Sequence, residues 1–324
     1  MTSSFSANRV ATIIVSFNTK HLLARCLDTL RAAEAHAGLS GTAIVVDNAS
    51  ADGSADYLTA NYPDVPLIRS ERNVGFGRAN NIALKSIGAA EFVLLLNTDA
   101  FVAEDAISET LRFMDEHPRC GVVGVRLTDS DGGAQPSCRN FPTPVRTFVQ
   151  RTGLRRWMPW IVPVDDPRRD FGNSQECDWV PGCFYLIRRQ VIDRVGLFDP
   201  LYFLYFEEVD HCLATKRAGW TVDYCATTST IHLGGESAGS QGKLTKSGNQ
   251  LESLQMESAM LYYRKNFGLA HLFLHLLLET VGDLVNSLKT LLKGRINDAA
   301  FFIKRIGATA RIARATRLGT VPTR

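Results

Sequence analysis

Three short apolar runs near the start of the chain each end in a cluster of small polar and acidic side chains. Val10–Ser16 leads into Phe17-Asn18, residues 42–46 lead into Asp47-Asn48-Ala49-Ser50, and residues 92–96 lead into Asn97-Thr98-Asp99. Unbroken apolar runs of this length suit strands covered on both faces. Between them, residues 20–35 carry Leu22, Leu23, Cys26, Leu27 and Leu30 at helical spacing, residues 65–69 suit a further strand, and residues 79–87 suit a helix. Strand and helix in alternation imply βαβ units and an α/β fold with a mostly parallel sheet. Such sheets bind ligands beyond the carboxyl ends of their strands. The three polar clusters are therefore expected to converge on one crevice.

The remainder of the chain is less regular. Residues 127–176 are rich in Asp, Gly, Pro, Arg and Trp and have poor periodicity, as in an insert that serves function. Order resumes at 179–188, a helix is expected over 208–218 with Gly219 as its stop, and residues from 251 onwards read as helical. Composition excludes some classes. Apolar residues are 45% and charged residues 21% of 324, which fits a folded chain, and a net charge of +3 gives no reason to expect a nucleic-acid partner. The seven cysteines form no C-x-x-C pair, so a reducing compartment is expected. The run 11–15 is strand-sized rather than a signal segment, and no uninterrupted apolar stretch reaches the ~18 residues of a span, so a cytoplasmic location, peripheral at the inner face of the membrane, is expected.

Individual residues carry two readings each. Asp99 at a strand end suits a hard cation such as Mg2+ or Mn2+, or simply a turn before the next helix. Asp47 suits a base or ribose acceptor, or an Asx-turn with its polar neighbours; Phe17 suits stacking on a base, or core filling. Gly75 and Gly77 allow close backbone approach, but Asn80 stands where a dinucleotide fingerprint needs its last glycine. Glu207, Glu208 and Asp210 follow an aromatic run, where crowding of acids in an apolar setting can raise a general base's pKa, or where acids simply complement a helix N-terminus. His232 suits either a ligand or a structural role.

Taken in order, these pieces resemble family 2 glycosyltransferases of the GT-A fold, particularly the rhamnosyltransferase-like branch. The resemblance runs from about Val10 to Ser237 through Val15-Ser16-Phe17-Asn18, Val46-Asp47-Asn48-Ala49-Ser50, Arg72-Asn73-x-Gly75-Phe76, Asn80-Asn81, Asn97-Thr98-Asp99, Trp179-Val180-Pro181-Gly182, Gly196-Leu197-Phe198-Asp199, the 203–210 run and His232. It implies a Rossmann-like mixed sheet flanked by helices, with residues 1–125 as the nucleotide-binding half, 126–250 as the acceptor half and 251–324 as a helical extension. It implies that Ser16, Phe17, Asn18 and Asp47 meet the nucleotide, that Asn73, Gly75, Asn80, Asn97 and Thr98 wall the donor, and that Asp99 and His232 bind Mg2+ or Mn2+. Trp179 and Gly182 would border sugar and acceptor. Glu208 occupies the position of the family's catalytic aspartate, a departure that moves the carboxylate by ~1.5 Å and keeps Glu207 and Asp210 as alternatives.

The expected activity is inverting transfer of a sugar, L-rhamnose from dTDP-rhamnose or else a hexose from a UDP donor, to a glycan or lipid-linked acceptor in cell-surface polysaccharide synthesis. Arg139, Phe141 and Trp157 in the insert are candidates for acceptor selection. The rival readings are a non-catalytic nucleotide-sugar scaffold and a nucleotide-dependent dehydrogenase. The C-terminal 55 residues combine an apolar stretch at 269–278 with Lys289, Lys293, Arg295, Lys304, Arg305, Arg311, Arg314, Arg317 and Arg324. That pattern suits helices lying on an anionic membrane, or packed in a homodimer.

Overall fold

A computed structural model describes residues 9–234 and 250–324, so Ser237 of the sequence pattern lies outside the described residues. The described residues form two compact units: one of residues 9–139, 168–200 and 207–234, the other of 140–167, 201–206 and 250–324.

The first unit is built on one mixed sheet. β1 (Val10–Ser16), β2 (Ala43–Asp47), β3 (Leu67–Arg69) and β4 (Phe92–Asn97) run parallel in the order β3-β2-β1-β4. β9 (Phe184–Arg188) then lies antiparallel between β4 and β6 (Cys120–Thr128), and β10 (Thr221–His232) runs parallel to β6. β5 (Ala100–Val102) closes the edge antiparallel to β10, while the two-residue strands β7 (Ala134–Gln135) and β8 (Gln175–Glu176) attach to β6 and β10. Parallel pairing thus holds on the side built from the first hundred residues; the later strands mix directions.

Local sequence explains the elements. β1 and β4 are buried along almost their whole length, as unbroken Val, Ile and Leu runs require. α1 (Lys20–His36) turns Leu22, Leu23, Cys26, Leu27 and Leu30 onto the sheet, each leucine contributing ~1.5–3 kcal/mol where it is fully buried. α3 (Phe76–Leu84) begins three residues before the expected start, because Gly75 at φ 90° breaks the chain immediately ahead of it. α7 (Glu207–Arg217) matches its expected span to within a residue and ends before Gly219 at φ 94°. Gly124 on β6 lets Val180 approach so closely that an added Cβ would sit 2.7 Å from the valine Cβ, which seats the 180–183 loop on the sheet.

In the second unit, part of the irregular insert is a helix after all. α5 (Pro144–Thr152) has Thr143 accepting from the Arg146 amide at 3.2 Å, proline at its first turn and Gly153 at φ 65° after it. The helices α8 (Gln250–Leu291), interrupted at Gly268 (φ 80°, ψ −174°), and α9 (Ile296–Ala315) make up the rest. The polar side of α8 is buried: Glu279 and Asp283 bind the guanidinium groups of Arg151 and Arg305, and Arg305 also meets Glu252. Burial pushes Glu279 up, yet Arg151, His275 and Arg305 outweigh it and leave the carboxyl below its usual range.

Candidate active site

Register places the polar clusters at one end of the sheet. Ser16 lies beside Asp47, and Asn97 lies beside Val15, so the first three clusters are neighbours. Asn48 ties their loops together. Its amide donates to the Ser16 carbonyl at 2.8 Å, its carboxamide oxygen accepts from the Val74 amide at 2.9 Å, and its Nδ2 donates to Asn73 Oδ1 at 2.9 Å. Asn18, at φ 53°, accepts from Ala51 N through Oδ1 at 2.7 Å and donates its own amide to Ser50 Oγ at 3.0 Å. Ser16 Oγ is fully buried against Thr19 Oγ1, so what Ser16 offers a ligand is backbone.

Within this cradle several acceptors remain free. Asp47 takes the Ser50 amide on Oδ2 but leaves Oδ1 buried without a partner. Asn80 donates Nδ2 to the Phe76 carbonyl and leaves Oδ1 buried without one, as do Asn97 Oδ1 and Thr98 Oγ1. Buried acceptors without partners are costly, roughly 1–3 kcal/mol each, unless a ligand supplies the donor. Phe17 is half-buried next to Ser16, and Gly75 is buried at the head of α3.

His232 Nε2 lies 3.6 Å from Asp99 Oδ1. Strand pairing enforces this: β5 sets Ala100 opposite His232, and the Leu233 amide donates to the Asp99 carbonyl at 3.0 Å. On its far side, His232 Nδ1 meets Gln135 Oε1 at 3.1 Å, while Gln135 Nε2 donates to the His232 carbonyl at 2.8 Å. Nδ1 therefore carries the proton and Nε2 presents its lone pair towards Asp99. Burial pushes the His232 pKa down, partly offset by Asp99, so the ring is neutral at pH 7. Among the described residues no group of three or more His, Cys, Asp or Glu is placed to hold a metal ion. Two donors with an oriented imidazole fit a divalent ion whose other ligands are ligand and water oxygens.

Glu208 sits at the first turn of α7, half-buried, with its Cβ 3.8 Å from the point where Gly182 would carry one. Its Oε2 has no partner. Burial pushes its pKa up; its own and the Val209 amides and the Arg139 charge pull part of that back. Glu207 is only 4% exposed and lies by α3, its Cβ 3.6 Å from the place a Gly77 Cβ would take. Burial and the Glu208 charge hold Glu207 well above the usual carboxylate range, and burial raises Glu208 as well, so the two acids titrate as a pair. Asp210 is buried too, at 5% exposed. The buried Cys183 thiol is pushed up by burial and then by both Asp99 and Glu208, which puts it within electrostatic reach of the two carboxylates. Trp179 is buried beneath Arg139, whose guanidinium lies 4.2 Å from the ring centroid. Phe141 and Trp157 belong to the second unit.

Two contributors were not singled out from sequence. Gln135 lies in a two-residue strand with no hydrophobic pattern, and only its pairing through β6 brings it to His232. Asn48 stood in the motif as a turn-former; nothing local marks it as the tie between three loops.

This sheet, with its polar cradle and its acid cluster, is that of a GT-A glycosyltransferase. The family model "Glycosyl transferase family 2" matches residues 12–196, and the chain belongs to that family. It is 28% identical over 208 residues to an N-acetylglucosaminyl-diphospho-decaprenol L-rhamnosyltransferase of Mycobacterium tuberculosis, covering 60% of this chain and 67% of that one. It is 26% identical over 227 residues to the rhamnosyltransferase WbbL of Escherichia coli K12, covering 68% and 81%. Its fold is similar to the mannosyltransferase PcManGT of Pyrobaculum calidifontis, solved with GDP-Man and Mn2+, at a TM-score of 0.50 and 17% identity over 96% of this chain and 80% of that one.

Proposed function

We propose that this glycosyltransferase moves L-rhamnose from dTDP-rhamnose to a hydroxyl of a glycan or lipid-linked acceptor, inverting the anomeric centre. The observation that supports the reaction is the Asp99–His232 pair together with a Glu208 carboxylate whose Oε2 has no hydrogen-bond partner, Asp99 and Glu208 both lying within electrostatic reach of Cys183. The sugar reading rests on the relatives named as rhamnosyltransferases.

In this reading Asp47 Oδ1 accepts a hydrogen bond from the base or ribose, Phe17 lies against the base, and Gly75 lets the backbone approach the nucleotide. Asn80, Asn97 and Thr98 supply further polar contacts. Asp99 and His232 hold Mg2+ or Mn2+, which when bound stabilises the charge developing on the nucleoside diphosphate. Glu208 accepts the proton of the acceptor hydroxyl as its oxygen attacks the anomeric carbon. Trp179, under Arg139, and Gly182 shape the space beside Glu208. The missing Cβ of Gly182 leaves room there for the acceptor.

The test is a donor screen. The protein is incubated with dTDP-L-rhamnose and with UDP-hexoses, with and without Mn2+ or Mg2+, and a polyprenyl-diphosphate-linked sugar as acceptor. Release of dTDP with a product of inverted configuration by NMR is expected. Turnover confined to a UDP-hexose would replace the donor, and retained configuration would remove Glu208 as base.

A further inference from the structure

Beyond its break at Gly268, helix α8 buries Leu272 in an apolar cluster but also buries a row of polar residues. His275, Glu279, Gly282 and Asp283 face the interior of their unit, with the two acids bound by arginines. Phe273, Leu277, Leu284, Leu288 and Leu291 share the opposite side and are 49–59% exposed. A helix in a water-soluble fold buries the apolar side and exposes the charged one. Residues 266–288 contain no charged side chain besides Glu279 and Asp283, so the exposed side is apolar along its length. Cations follow directly: Lys289, Lys293 and Arg295 are all exposed, although Lys289 Nζ donates to the Thr152 carbonyl and Arg295 pairs with Asp298. Residues 250–324 contain eleven Lys or Arg against five Asp or Glu, although the whole chain has a net charge of only +3.

We propose that this outer side of α8 docks on the surface of an anionic lipid bilayer, with the leucines in the acyl boundary and the cations at the headgroups. Apolar residues bordered by Lys and Arg fit a bilayer interface, where both terms contribute. A second copy of the chain fits less well, because a twofold contact sets the same patch against itself and would bring like charges together. By length and composition α8 is able to cross a membrane. Its Glu279–Asp283 side, however, is committed to Arg151 and Arg305, which keeps the helix against its own unit and at the surface of the lipid.

The experiment is flotation of the full chain with vesicles of phosphatidylcholine alone and of phosphatidylcholine with phosphatidylglycerol, no donor or acceptor present. The wild type is expected to float with the anionic vesicles and far less with the neutral ones. Lys293→Ala should weaken partitioning roughly fivefold. The double variant Leu277→Glu/Leu288→Glu, altered only at exposed sites, should remain in the soluble fraction with an unchanged circular dichroism melt. Failure of the wild type to float, or flotation of the double variant like wild type, overturns the proposal. So does a self-associated species in sedimentation equilibrium that the double variant dissociates, without vesicle binding; the patch would then be covered by a second copy. Because no sugar donor is used, none of these outcomes bears on the transferase reading.

Discussion

Gln135 holds His232 from two directions, taking the Nδ1 proton on Oε1 at 3.1 Å and donating Nε2 to the carbonyl of the same residue at 2.8 Å. The ring is thereby fixed in rotation and in tautomer, with Nε2 towards Asp99. Gln135→Leu should weaken Mn2+ binding in the presence of dTDP about 10–100-fold. Electron paramagnetic resonance of free Mn2+ measures this without turnover. Unchanged affinity would show that Gln135 orients nothing.

Glu208→Gln keeps the shape of the side chain and removes the proposed base. Turnover should drop about 100-fold or more while donor affinity by calorimetry stays near wild type. The same loss in Glu207→Gln, with Glu208→Gln active, would shift the role to the neighbouring residue.

The pH profile follows from the same pair. Burial holds Glu208 above the ordinary glutamate range, so the rate should rise with pH along an acid limb displaced upwards. Arg139 stabilises the anion. Arg139→Gln should raise the Glu208 pKa further and move that limb to still higher pH. A limb that stays in place on substitution would sever the proposed link.

Glu207 gives a stability prediction of definite sign. Its folded pKa lies well above the unfolded value, so the folded state binds the extra proton between the two. Stability is full below the unfolded pKa and is lost as pH rises through the folded one. Glu207→Gln should flatten that decline and raise the melting temperature at alkaline pH. Melting curves across a pH series with parallel slopes for both proteins would contradict it.

Much of the scaffold was readable because apolar runs and their polar endings are local signals. The runs that became β1, β2 and β4 needed only covering on both faces, and Leu22 to Leu30 needed only a 3.6-residue period. Strand direction is not local: nothing in residues 184–188 says that β9 enters antiparallel between β4 and β6. The candidate residues Asp99, His232 and Glu208 were legible as an ordered pattern, whereas the Gln135–His232 contact and the effect of the Arg139 charge on Glu208 arise between residues far apart in the sequence. The apolar stretch at 269–278 was visible too, but which side of it faces outward depended on where Arg151 and Arg305 reach Glu279 and Asp283.

Asn48 fastens the ends of β1 and β2 to the strand-to-helix turn at Asn73-Val74 through three hydrogen bonds. In the proposed reading, the nucleotide meets walls already set in place. Little chain disorder is left to freeze out on association, so capture should be rapid and single-phase, with selectivity residing in the fit of the base rather than in a slow rearrangement around it.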